Sequence, residues 1–159
     1  MVVATPDGEG RWVRGKEHTV KGTFDFDPQP SQMILPPGEY GIVKLACHQG
    51  NRQHHYISKV AERGSIWDGA AKYDQPFATF RVGEGEVVDI GSLAIATGQG
   101  RDPSGNTRSI FVGVVRPIPE RFLGNLAGKN PVLFNARVSR PMTTPPLPPG
   151  MRINGTPAA

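Results

Sequence analysis

Cysteine is nearly missing from this chain of 159 residues: Cys47 stands alone, which excludes an internal disulfide framework and leaves the redox compartment unread. Long apolar runs are missing as well. No stretch approaches the ~20 residues that a membrane helix needs. The start, Met1-Val2-Val3-Ala4 followed by Pro6, Asp7 and Gly8, has neither the basic region nor the apolar run of a signal peptide. The expected location is therefore the periplasm or cell envelope if a signal was removed, and the cytoplasm otherwise. A phosphate loop is also lacking, since Gly83-Glu84-Gly85 is too short and no helix follows it.

A strong charge field of either sign is absent too. The net charge is +4, and the basic residues are mostly dispersed. Their densest run, Arg11, Arg14, Lys16 and Lys21, includes Trp12 and Glu17 and reads as a solvated edge strand. With no recognised motif or stacking array beside it, nucleic acid is not expected as a partner.

Glycine and proline are abundant. The 20 glycines and 16 prolines are together about double the ~12% of an average chain. Some punctuate short strands, and others gather after Arg140. The length suits one domain with its own hydrophobic core. Residues 1 to 10 read as a flexible N-terminus, 11 to 140 as the folded domain, and 141 to 159 as a Pro-rich tail, disordered or extended, with Pro145-Pro146-Leu147-Pro148-Pro149 at its centre.

Arg11 to Val13 and Val20 to Phe26 read as strands, the second with Phe24 and Phe26 on one face. Leu35-Pro36-Pro37-Gly38 predicts a reversal in which Gly38 takes a positive φ, launching a strand from Tyr40 to His48. Ile42 on one face and Val43 and Leu45 on the other predict burial on both sides. Gly50-Asn51 then suits a two-residue hairpin turn, which sets Cys47 opposite His54, Leu45 opposite Tyr56 and Val43 opposite Ser58.

Ala61 to Gln75 reads as irregular, with Ile66 and Trp67 expected in the core. Phe77 to Val82 and Glu86 to Ile90 predict a second hairpin. Leu93 to Ala96 is a short strand, Gly98 to Asn106 a loop, and Ile110 to Val115 an apolar strand closing the sheet. The helix prediction is Pro119 to Ala127, ended by Gly128. From 132 to 138 the alternation of Val132, Phe134, Ala136 and Val138 argues strand, while Asn130-Pro131 suits a helix start, and both remain open. The fold class is thus mainly β: an antiparallel β-sandwich with one short helix near the C-terminus.

Leu35-Pro36-Pro37-Gly38-Glu39-Tyr40, followed about forty residues later by the run from Phe80 to Leu93 with Gly85-Glu86-Val87-Val88-Asp89-Ile90-Gly91 at its centre, resembles small bacterial envelope proteins, many of them lipoproteins. Their fold is similar to the carboxypeptidase regulatory-like, prealbumin-like sandwich. The resemblance covers residues 33 to 95. It implies an envelope location and brings no catalytic residues; a protein is the expected partner.

Candidate chemistry is sparse. Cys47 with His54 is the one pair that could serve as metal ligands or as a nucleophile and base, yet His48 and His55 face away, and Asp68 or Asp74 would have to complete a metal site. Asp25 with Asp27 and Glu84 with Glu86 read as turn and surface carboxylates. No cofactor is expected. The expected role is a non-catalytic binding or structural module of a bacterial cell-envelope or surface assembly, working through sheet edges or through the loops 64 to 75 and 96 to 107. The alternatives are a subunit docking through its tail and helix, and a hydrolytic or metal-dependent enzyme using Cys47 and His54.

Overall fold

A computed structural model describes residues 1–17, 32–49, 51–62, 72–101 and 104–153. The expected strand from Val20 to Phe26, the carboxylates Asp25, Asp27 and Asp68, and the pair Ile66 and Trp67 lie outside the described residues. The described elements are β1 (Val2–Pro6), β2 (Trp12–Glu17), β3 (Gly38–Gln49), β4 (Arg52–Ile57), β5 (Lys59–Glu62), β6 (Lys72–Gln75), β7 (Ala78–Val82), β8 (Val87–Asp89), β9 (Ser92–Arg101), β10 (Thr107–Arg116), α1 (Glu120–Lys129), α2 (Pro131–Ala136), β11 (Arg137–Ser139) and β12 (Arg152–Ile153). The class is mainly β.

The largest sheet has seven antiparallel strands and is nearly closed. Its path runs β4-β3-β1-β2-β6-β5, and β4 and β5 are separated in the chain by Ser58 alone. The two ends of the path therefore belong to one bent stretch of chain. β3 is long enough to hold two partners along one edge: β7 against Gly38 to Ile42 and β4 against Lys44 to Gln49. Its other edge pairs with β1.

β1 corrects the reading of residues 1 to 10 as a flexible end. Val2, Val3 and Ala4 are among the most buried residues of the chain, because β1 lies between β2 and β3 and both its faces are covered. Val2 and Ala4 join Val43 and Tyr73 in one apolar cluster. Val3 joins Tyr40, Ile42, Ala78, Phe80 and Met142 in another. Tyr40 and Ile42 of β3 join the second cluster and Val43 the first, so the strand is buried on both faces as expected, but Leu45 packs with Ile42 rather than with Val43. Three short apolar residues read alone resemble a ragged start, and only long-range pairing shows them to be core.

The turn before β3 also differs from expectation. Gly38 is not among the residues with positive φ; it already belongs to β3 and pairs with Val82. The chain enters this strand extended, and the Tyr40 hydroxyl donates to the Pro36 carbonyl at 2.6 Å. The hairpin after β3 has the expected register, with Cys47 opposite His54, Leu45 opposite Tyr56 and Gln49 opposite Arg52.

β7 and β8 do not form a hairpin together. β7 gives one edge to β3, while β8 pairs in parallel with β11. The C-terminal chain runs between them: Arg140 N–H donates to the Asp89 carbonyl, Met142 N–H to that of Ile90, and Thr143 bridges Thr79. A local turn signal at Gly83 to Gly85 could not reveal that a segment over fifty residues onward occupies the space between its arms.

The expected loop from Gly98 to Asn106 is strand as far as Arg101. β9 and β10 are ten residues each, paired from Ser92 with Arg116 to Arg101 with Thr107. Glycine suits this strand at Gly100, where a Cβ would meet the Gly150 carbonyl oxygen at 2.6 Å. β12 extends this sheet beyond β9.

Two helices are present where one was expected. α1 runs on through Gly128, and the Asn130 N–H closes it on the Leu126 carbonyl at 2.8 Å. The Asn130 side chain then accepts from Leu133 N–H at 3.2 Å and starts α2, with Pro131 in its first turn. The segment left open between helix and strand is both, since β11 follows at once.

Candidate functional site

Cys47 and His54 are direct cross-strand partners, and His54 is exposed. Among the described residues no three His, Cys, Asp or Glu side chains stand close enough to hold a metal ion. Asp74 pairs with Lys59 at 3.2 Å and is not brought to Cys47. Of the Glu84 and Glu86 pair, Glu84 is exposed at the turn, and Glu86 is engaged elsewhere.

Glu86 lies in a shallow depression of about 480 Å³ lined by Arg81, Gly83, Glu86 and Arg140. Arg140 donates from both terminal nitrogens to the two oxygens of Glu86, at 2.9 and 3.1 Å, and at 3.3 Å to the Arg81 carbonyl. The Gly83 N–H donates to the same carboxylate at 2.8 Å. The Arg140 hydrogen bonds, followed by that of Gly83, hold the Glu86 carboxyl below its ordinary pKa, and Glu86 in turn raises that of Arg140. A Cβ on Gly83 would strike the Glu86 carboxylate, so this glycine leaves room for the fork. Chemically the arrangement is a lock. Its donors and acceptors are spent on one another, and it fastens the C-terminal chain to the Gly83 turn.

The other site is the β9, β10, β12 sheet. Val115 and Leu93 pack toward the Val3, Tyr40 and Ile42 cluster, and Phe111 meets Tyr56 edge to face at 5.1 Å. Alternation then sets Arg108, Ile110, Val112, Val114 and Arg116 on the opposite face of β10. Their cross-strand neighbours on β9 are Gly100, Gly98, Ala96, Ala94 and Ser92, all small. Ile110, Val112 and Val114 are half-buried along this row, which has an arginine at each end, and the chain from Gly150 to Arg152 lies against its Gly98 and Gly100 neighbours. Among the described residues β10 has β9 as its only ladder partner and forms an edge. Reading Ile110 to Val115 as a continuous apolar strand overlooked this face. The alternation from Arg108 to Arg116 was the signal for it.

Among the described residues no helix is long and apolar enough to cross a membrane. Comparison with family models, with curated proteins and with solved structures gives no match to this chain.

Proposed function

We propose that this chain is a non-catalytic binding or structural module of a bacterial cell-envelope or surface assembly, acting through the edge and outer face of β10. The observation that carries this reading is the ten-residue β10, paired on one side only among the described residues and carrying three half-buried aliphatic side chains between two arginines. Edge strands of this length and composition template the addition of another strand, and proteins ordinarily blunt them. The sheet of β9, β10 and β12 packs through Leu93 and Val115 on one face of the seven-stranded sheet, which supports reading the fold as a β-sandwich. The resemblance to envelope sandwiches supports the location.

A photo-crosslinking residue placed at Val112 in living cells tests the reading, with Gly8 on the remote β1–β2 turn as control and Val132, 75% exposed on α2, as a third position. A discrete adduct to an envelope protein from Val112 and none from Gly8 is expected. Adducts from Val132 alone would favour docking through the helices. If Cys47→Ala abolished a measured enzymatic activity without unfolding the protein, the non-catalytic reading would fall.

A further inference from the structure

We infer that the gap between the β3–β4 hairpin and the inner face of β9, β10 and β12 binds an anionic glycan. This gap lies on the other face of β10 from the aliphatic row and is independent of the reading above. The two sheets run in one direction beside it. Gly113 stands against the Phe77 carbonyl, and the Phe77 N–H donates to Ile42 of β3. Farther along β3, Leu45 pairs with Tyr56, and Tyr56 meets Phe111. From Ile42 to Leu45 the second sheet thus steps from Gly113 to Phe111, and both continue the same way. Alternation turns Arg52 and His54 to the side of Tyr56, and Ser109 and Thr107 to the side of Phe111. Gln99 and Arg101 stand opposite the last two on β9, and Arg152 of β12 stands opposite Gln99. Apolar packing stops at Phe111, which is 52% exposed, and beyond it Arg52, His54, Gln99, Arg101, Thr107 and Ser109 are all exposed. The four positions from Tyr56 to Arg52 make the solvated stretch about 13 Å long.

Three guanidinium groups border this gap. Among the described residues no ion pair or side-chain hydrogen bond occupies Arg52, Arg101 or Arg152. Neither the stretch from Lys44 to Ile57 nor β9, β10 and β12 contain Asp or Glu, and Asp102, between β9 and β10 in sequence, lies outside the described residues. Guanidinium forks take carboxylate or sulfate oxygens in pairs. The half-exposed Phe111 ring offers an apolar platform for the C–H face of a sugar, while Gln99, Thr107 and Ser109 supply donors and acceptors for its hydroxyls. A nucleic acid strand stacks successive bases on several rings, and Phe111 is the one exposed ring described here. An added peptide strand needs an unpaired edge, and β9, in the middle of this face, is paired on both sides. Charge complementarity together with a single ring among amide and hydroxyl groups is the ground for choosing a glycan.

The test uses the full chain with a fluorescently labelled galacturonic acid hexamer, its methyl ester, a sulfated maltohexaose and an oligothymidylate of equal charge. By anisotropy the acid hexamer should bind about tenfold or more tightly than the ester and the oligothymidylate, and its affinity should fall as salt rises. Hydrogen exchange of the parent protein should slow in β4 and around Phe111 when it binds, a readout that needs no variant. The exposed substitutions Arg52→Gln and Arg101→Gln should each weaken binding about fivefold or more. Phe111→Leu, which keeps an apolar contact with Tyr56, should weaken it about threefold with the salt dependence unchanged. Arg116→Gln, on the other face of β10, should leave it unaltered. Equal binding of acid and ester, tighter binding of the oligothymidylate, or protection confined to other elements overturns the inference. So does an Arg116→Gln loss equal to that of Arg52→Gln, which would mean attraction to net charge alone. Failure of both the galacturonic acid hexamer and the sulfated maltohexaose to bind overturns it as well. Crosslinking from Val112 probes the opposite face, so this inference and the β10 reading can each fail while the other stands.

Discussion

Glu86 and Arg140, 54 residues apart in sequence, meet through two parallel hydrogen bonds that fasten the C-terminal chain beside the Gly83 turn. Replacing Glu86 with Gln or Arg140 with Met should loosen the segment from Arg140 to Thr143. Hydrogen exchange would show it as faster exchange at the Met142 and Thr79 amides, which donate to Ile90 and Thr143, with the interior of β1 unchanged.

The same pair sets an acid dependence. Arg140 and then Gly83 hold the folded-state pKa of Glu86 below the ordinary 4.5, so folding favours the carboxylate. Its contribution is complete above pH 4.5 and is lost as pH falls through the lower folded value. Melting temperatures recorded across that window should fall less steeply for Arg140→Met than for the parent, and parallel curves would count against the pair.

Tyr73 sets an alkaline counterpart. It is 1% exposed within the Val2, Ala4 and Val43 cluster, and burial raises its pKa above 10.0. Folding therefore favours the neutral phenol, and this contribution is present below pH 10.0 and lost as pH rises through the folded value. The difference in phenolate absorbance between the parent and Tyr73→Phe should appear at higher pH in the folded protein than in denaturant.

Two glycines should respond oppositely to alanine. A Cβ on Gly113 would run into the Phe77 carbonyl oxygen, where β10 crosses the main sheet, and the substitution should cost about 1–3 kcal/mol. Gly124 lies within α1 with open space about it, so alanine there should stabilise by about 0.5–1 kcal/mol. Denaturant unfolding of both variants checks the sign.

At the entrance to β3, Tyr40→Phe removes the hydroxyl that donates to Pro36 while keeping the ring stacked on Phe80 at 5.5 Å. A loss of about 0.5–1.5 kcal/mol is expected. Faster proteolysis around Met33 to Pro36 would locate it.

What the chain showed in advance was what neighbouring residues determine. The two-residue spacing at Gly50-Asn51 set the register of Cys47 with His54, and Pro119 with the apolar spacing of Phe122, Leu123 and Leu126 marked α1. Partnerships across long separations were not legible. Val2 to Ala4 offer too little pattern to announce a central strand, and nothing near Gly83 indicates that residues 140 to 143 lie between β7 and β8. The candidate face was written in the alternation from Arg108 to Arg116. Recognising which side is outward required Val115, Gly113 and Phe111 to be seen against the main sheet.

The insertion of the C-terminal chain between β7 and β8 also constrains the order in which the protein can form. While synthesis has not reached Thr143, β7 lacks its Thr79 bridge and β8 lacks its parallel partner β11. Folding is completed by an element made late, and the Glu86 carboxylate is where the arriving Arg140 finds its place.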